Sequence, residues 1–117
     1  EYIDIYPTLA EFCGLKTPKQ CEGRSVTPLF ANPSQPWKRA ALSQYPRGGG
    51  MGYSIRSGPW RYTEWRRKNG QVTARELYDH SHSDVATKNL AQSPEHKNTV
   101  KKLAKTLREI VEQPSDK

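Results

Sequence analysis

The side chains of this chain best suited to chemistry are four arginines set among aromatic rings: Arg47, Arg56, Arg61 and Arg66, with Tyr45, Tyr53, Trp60, Tyr62 and Trp65 beside them. A guanidinium offers a planar fork of donors to a carboxylate, sulfate or phosphate, and a neighbouring ring offers a face to stack on. The chemistry implied is anion recognition. Groups for bond cleavage are sparse: no nucleophile stands beside a base that could activate it, and there is no Gly-x-Ser-x-Gly elbow or phosphate-binding loop. His80, His82 and Asp84 alternate and would share a face of an extended segment, which could in principle hold zinc or iron. They lie in a serine-rich run with no fourth ligand nearby, so no metal site is expected. His96 falls at the start of a helical pattern and reads as a surface residue.

The charge is concentrated where the arginines are. The net charge is +7, and residues 47 to 70 carry six basic residues against one acid, Glu64, leaving about +1 on each flank. That stretch favours an anionic partner, and its plainest alternative is a solvated basic hairpin. A stand-alone polyanion-binding module, for nucleic acid or sulfated glycan, is one reading of it. No RNA-binding signature accompanies the aromatics, however, and about half of them must fill a core, so nucleic acid is not the favoured partner. In the segment from Trp60, alternation places Trp60, Tyr62 and Glu64 on one face and Arg61, Thr63 and Trp65 on the other. One of the two sets must pack.

The elements that would position these groups follow from periodicity. Residues 3 to 13 set Ile3, Ile5, Tyr6, Leu9, Ala10, Phe12 and Cys13 on a helical stripe, with Asp4 as N-cap and Gly14 at the C-terminal turn, predicting a short helix with one buried face. Prolines at 18, 28, 33 and 36 make the next stretch a wrapping connection, with one capped turn at residues 25 to 30, ordered by Leu29, Phe30 and Trp37 docking onto a neighbour. Residues 40 to 45, 52 to 56, 60 to 67 and 71 to 78 read as strands, joined by the Gly48-Gly49-Gly50 loop, by Ser57-Gly58-Pro59 and by a two-residue Asn69-Gly70 turn. Ser93-Pro94-Glu95 opens a final helix on which Val100, Leu103, Ala104, Leu107, Ile110 and Val111 recur at three- and four-residue spacing. Residues 113 to 117 read as a frayed tail. The expected fold class is α+β: a small antiparallel meander of about four strands, a C-terminal helix on one face and a short N-terminal helix.

A mean hydropathy of −0.95 implies a thin core that leans on something larger, and the chain opens at Glu1-Tyr2-Ile3 as if cut from a longer product. No apolar run is long enough to span a bilayer. Cys13 and Cys21, with seven residues between them, could close a small disulfide loop in an exported protein, or stand as small buried groups in a reducing cytosol.

The run from Ile3 to Leu15 resembles the helix that follows the catalytic core of sulfatases, and Glu22-Gly23-Arg24-Ser25-Val26 with Pro28-Leu29-Phe30 is similar to further elements of those enzymes. Residues 43 to 47 (Ser-Gln-Tyr-Pro-Arg) and 51 to 56 (Met-Gly-Tyr-Ser-Ile-Arg) resemble iduronate-2-sulfatase more narrowly, and Glu76-Leu77-Tyr78-Asp79 with Asn89-Leu90-Ala91 resembles the late sulfatase signature. The resemblance implies a C-terminal part of a calcium-dependent sulfatase of the alkaline-phosphatase-like superfamily, with residues 1 to 39 as the connection from the catalytic domain and 40 to 117 as the C-terminal subdomain. It implies an exported parent (periplasmic, extracellular or lysosomal), a sulfated sugar substrate, and the sulfatase catalytic domain as partner. The formylglycine made from the cysteine of a Cys-x-Pro-x-Arg motif, and the aspartates that hold calcium, would belong to that domain; Cys13 and Cys21 are not followed by the motif's residues. No catalytic residue is expected here. Tyr45 and Arg47 are the matching wall positions, with Arg56 and Trp65 beside them. Arg47 could pair with a uronate carboxylate or a second sulfate, or could bridge to an acid of the catalytic domain. The Gly48-Gly49-Gly50 link is shorter than in human-type iduronate sulfatases.

Overall fold

The computed structural model describes residues 1–83 and 85–112. The chain divides into two compact units, Glu1–Lys38 and a second starting at Arg39.

In the first unit a single 3₁₀ turn, Tyr2–Asp4, runs into helix α1, Ile5–Phe12. Gly14, at φ +66, closes α1: its N–H donates to the Glu11 carbonyl at 3.0 Å and the Leu15 N–H to that of Ala10 at 2.8 Å, the paired bonds of a Schellman ending. Asp4 occupies the N-cap position of α1, as expected, but its side chain makes no capping hydrogen bond to the helix. Its carboxylate is buried and turned to the wrapping segment, where Oδ1 accepts from the Arg24 N–H at 2.8 Å and from Lys38 Nζ at 2.7 Å. Thr8 completes the tie: its hydroxyl donates to the Asp4 carbonyl at 2.6 Å and accepts from the Val26 N–H at 3.0 Å. The wrapping segment holds a second short helix, α2, Thr27–Ala31.

The stripe expected to be the buried face of α1 is mostly open. Of its members only Ala10 is buried, while Ile3, Ile5, Tyr6, Leu9 and Phe12 are each at least half exposed. Phe30 is also exposed, with its ring edge-on to Phe12 at 5.5 Å, and Trp37 lies under the Arg24 guanidinium at 4.1 Å. Among the described residues the helical stripe therefore stays largely uncovered.

The ties of Asp4 have a pH signature. Burial pushes its carboxyl up, yet the hydrogen bonds from Lys38 and from the Arg24 amide outweigh burial and hold it below its ordinary 3.8. Lys38, pushed down by burial, is raised above its ordinary 10.5 by hydrogen bonds to Asp4 and Glu1. The depressed carboxyl contributes stability that is present above its unfolded value and lost as pH falls through its folded value. The raised ammonium contributes below 10.5 and loses its contribution as pH rises through its folded value. Lys38→Met is therefore expected to lower the thermal midpoint of this unit near pH 7 and to make less difference at a strongly acidic pH, below the lowered folded-state value of Asp4, where that carboxyl is protonated. An equal loss at both pH values would mean that the Lys38 stem, not its charge, holds the segment.

The second unit is a four-stranded antiparallel meander in the order β1 (Ala41–Arg47), β2 (Gly50–Ser57), β3 (Trp60–Arg67) and β4 (Val72–Asp79). Gly48 and Gly49, at φ +55 and +80, form the two-residue link between β1 and β2, a conformation that side chains other than glycine resist. The link from β3 to β4 is longer than the expected Asn69-Gly70 pair. Only Gly70 has a positive φ, and the Arg67 N–H donates to the Gln71 carbonyl at 2.9 Å across Lys68, Asn69 and Gly70. A bulge follows, because Trp65 pairs with Ala74 but Arg66 with Val72, leaving Thr73 as an extra residue on β4.

Register sorts the side chains. Leu42, Ile55, Tyr62 and Leu77 stand opposite one another across the four strands and face helix α3, Lys97–Glu112. Ile55, Tyr62, Leu77, Leu103 and Leu107 make the buried core. The Trp60, Tyr62 and Glu64 set is thus the one that packs, and Arg61, Thr63 and Trp65 lie on the open face. The α+β architecture is as expected, with α3 preceded by a 3₁₀ turn, Pro94–His96. Among the described residues no helix is long and apolar enough to cross a membrane. Asp84 and residues 113–117 lie outside the described residues.

Candidate functional site

Glu64 is 3% exposed on the packed face, a position where a lone carboxylate would be costly. Its partners explain how it is tolerated: Oε1 accepts from the Tyr62 hydroxyl at 2.8 Å, and Oε2 takes two bonds from Arg66, Nε at 3.0 Å and Nη2 at 2.8 Å. Arg75 approaches from the next strand at 3.6 Å. Burial and the adjacent carboxylate both push the Tyr62 hydroxyl well above its ordinary range, so it stays a neutral donor. Arg66 is further held over the Tyr53 ring at 5.0 Å. Of the clustered cations, Arg66 is therefore committed to the scaffold.

The others gather at the end of the sheet where the glycine link lies. Arg47, Gly50 and Arg67 stand opposite one another across three strands, and Lys68 follows on the next loop. The charge of Arg47, Arg67 and Lys68 is matched by no salt bridge among the described residues. They line a hollow of about 820 Å³ with Trp65 and Glu76. A second hollow of about 320 Å³, lined by Tyr45, Gly52, Ser54 and Thr63, shares Trp65 and Glu76 with the first.

Trp65 is the partition between the two. A Cβ on Gly52 would come within 2.9 to 3.1 Å of three atoms of its six-membered ring, so the ring lies against the bare backbone of Gly52. Its Nε1–H donates to Glu76 Oε1 at 2.7 Å, which fixes the ring's rotation. The Arg47 guanidinium sits 5.8 Å from the ring centroid, at the outer limit of a cation–π contact. Below the ring, the Thr63 hydroxyl donates to Ser54 at 2.9 Å.

The structure thus brings together three of the four candidate residues, Tyr45, Arg47 and Trp65, at the two joined hollows. Arg56 is apart from them. It pairs with Ala41 and Arg61, six positions along the sheet from the Arg47 row, about 20 Å at the rise of a strand. Arg67, Lys68 and Glu76 were not singled out from sequence; the charge count over residues 47 to 70 carried the first two, and only the register joins them to Arg47. The aromatic stacking surface is smaller than the sequence suggested: Tyr62 is buried, Tyr53 lies under Arg66, and Trp60 is against His96 at 5.3 Å. His96 is half-buried by that contact rather than a free surface residue. Among the described residues no three His, Cys, Asp or Glu side chains are placed to hold a metal; His80 and His82 are among those described, while Asp84 is not. Cys13 is exposed and Cys21 half-buried, and both are free thiols.

The family model for the C-terminal region of N-sulphoglucosamine sulphohydrolase matches residues 1–113. The chain belongs to this family of sulfatase C-terminal domains. Arylsulfatase K of Xenopus laevis is 28% identical over 123 residues, an alignment that covers 96% of this chain. The chain spans 22% of the length of that relative.

Proposed function

We propose that this chain is the C-terminal part of a sulfatase that hydrolyses sulfate esters of sugars, and that it forms one wall of the substrate pocket without taking part in bond breaking. The observation that carries this reading is the meeting of Arg47, Trp65 and Tyr45 around joined hollows where Arg47, Arg67 and Lys68 form no salt bridge among the described residues. A sulfated sugar presents both a ring with an apolar face and fixed negative charge, which is what a ring beside free guanidinium groups can hold. The likeness of residues 43 to 47 and 51 to 56 to iduronate-2-sulfatase favours a uronate-containing substrate, with Arg47 on its carboxylate or a second sulfate.

The partner is a sulfatase catalytic domain of the same polypeptide, seated on the apolar stripe Ile3, Ile5, Tyr6, Leu9 and Phe12 that α1 leaves open. Calcium and formylglycine would belong to that domain. The two cysteines do not fit the formylglycine motif: Cys13 is followed by Gly14-Leu15-Lys16 and Cys21 by Glu22-Gly23-Arg24, neither being Cys-x-Pro-x-Arg. Export of the whole enzyme fits a substrate of the glycan matrix.

The test is Arg47→Ala in the complete sulfatase chain. Loss of a charge-assisted contact of about 1.5–3 kcal/mol should lower kcat/KM for an anionic sugar sulfate by roughly tenfold to a hundredfold, with a small aryl sulfate nearly unaffected. Equal losses on both substrates would assign Arg47 a structural bridge instead and remove the wall from the reading.

A further inference from the structure

Helix α3 has a second face that the core does not use. Lys97, Lys101, Lys105 and Arg108 follow one another at steps of four, four and three positions, so at about 3.6 residues per turn they form a single row, about 16 Å long at the helical rise. All four are exposed, and Lys102 stands exposed beside the row. Val100, Leu103, Leu107 and Ile110 point the other way, to the core of Ile55, Tyr62 and Leu77. Little within the chain answers this charge. Of the two acids on α3, Glu109 is held by Arg39 at 2.7 Å and reaches Lys105 only at 3.9 Å, and Glu112 lies beyond the row at the last residue of the helix. Lys97, Lys101, Lys102 and Arg108 form no salt bridge among the described residues. Like charges four positions apart on a helix repel, so the row weakens its own helix until an anion neutralises it.

We propose that the outer face of α3 is a docking surface for a linear sulfated polysaccharide, held by charge alone and separate from the hollows around Trp65. α3 packs on the face of the sheet that carries Tyr62, whereas Trp65 stands on the other, so the sheet lies between the row and the Trp65 ring. The composition of α3 selects the partner. It has no aromatic residue, so the bases of a nucleic acid find no ring to stack on. Its apolar residues are turned to the core, which leaves no apolar edge to enter a lipid surface. A sulfated polysaccharide needs neither. It carries sulfate and carboxylate along a flexible chain, and cations that neutralise it release the counterions gathered on it. A straight row suits such a chain, because successive ammonium groups can meet successive anions without a pocket. The inference does not depend on what the hollows bind: it concerns the holding of a long polymer, not the fit of one ring.

The test is titration of the isotope-labelled 117-residue chain with size-fractionated heparin over a range of salt, beside a DNA duplex of matched charge and vesicles of phosphatidylserine and phosphatidylcholine. Heparin should move the backbone amide signals of residues 97 to 108 more than the Trp65 indole N–H signal. In Lys101→Gln/Arg108→Gln, which removes two exposed charges that form no salt bridge, heparin should bind about tenfold to hundredfold more weakly at low salt, and the slope of log affinity against log salt should flatten by about two. The thermal midpoint of that variant should stay level or rise, since repulsion along the row is relieved. Duplex and vesicles should bind at least tenfold more weakly than heparin. Unchanged heparin affinity and slope in the double variant overturn the proposal, as do shifts centred on Trp65 and the glycine link. Equally tight binding of the duplex or of the vesicles overturns it too, and would give the row to nucleic acid or to a membrane surface. Arg47 and the row are substituted separately, so failure here leaves the reading of the hollows as it stood.

Discussion

Replacing Glu64 with alanine is expected to destabilise the sheet unit by about 3–5 kcal/mol, a large share of the stability of a small domain. The carboxylate is 3% exposed and satisfies the Tyr62 hydroxyl and both approaching Arg66 nitrogens. Alanine leaves the Arg66 guanidinium, only 14% exposed, without a counter-charge and orphans a phenol inside the core. Glu64→Gln keeps one acceptor for Tyr62 and should cost less. In Glu64→Ala/Arg66→Ala the unpaired charge is gone, so the double variant should be less destabilised than the sum of the single changes. Urea unfolding with unchanged slope would measure this. Strict additivity would show that the two groups act independently and that the short contacts between them contribute little. The consequence for function is indirect: Arg66 freed from Glu64 would add a mobile cation beside the hollow and blur its preference for a particular anion.

Gly23→Ala is expected to disrupt the first unit at a cost of at least ~3 kcal/mol, beyond the usual penalty of overpacking. A Cβ there would lie 1.8 Å from the Ile3 carbonyl oxygen and 2.4 Å from its carbon, with the Asp4 nitrogen at 2.9 Å. All three are backbone atoms, so no rotamer change relieves the collision. Moving the wrapping segment away from Ile3 pulls the Arg24 N–H from Asp4 and the Val26 N–H from Thr8, the bonds that tie the segment to α1. Amide exchange at Arg24 and Val26 should accelerate by two orders of magnitude or more, since each ~1.4 kcal/mol of lost local stability is tenfold, with the β2 and β3 amides as internal reference. Undiminished protection at those two amides would show that the segment has room the geometry denies it. The physical content of the Glu-Gly-Arg-Ser run is therefore close backbone approach: only a residue without a side chain lets the segment cross the start of the chain.

Strand identity and the closing helix were legible in the residues because both are repetitive and local. Alternation through Trp60-Arg61-Tyr62-Thr63-Glu64-Trp65 separated the two faces correctly, and Val100, Leu103 and Leu107 recur at the helical period after a Ser93-Pro94 start. The family was legible as well, through Glu22-Gly23-Arg24-Ser25 and the Glu76-Leu77-Tyr78-Asp79 run. Other features depend on groups far apart in the chain. Asp4 has the composition of an N-cap, but Arg24 and Lys38, 20 and 34 residues on, offer it better donors than the first turn of α1 does. The apolar stripe of α1 signals burial without saying against what, and within the described residues it stays mostly exposed, with Phe12 meeting the Phe30 ring. Glu64 reads as solvent-facing on polarity alone; its burial follows from the side of the sheet that α3 covers and from Arg66 and Arg75 being there to meet it.

The site divides in the same way. Local chemistry supplied the inventory: guanidinium groups beside aromatics, a glycine link, and no nucleophile beside a base to activate it. Their meeting was decided by pairing register, which sets Arg47 opposite Gly50 and Gly50 opposite Arg67, and by the absence of a side chain on Gly52, which lets Trp65 lie against the sheet. Periodicity is written in neighbouring residues and survives in any context, whereas register and close approach are energies of whole strands and exist only once those strands are side by side.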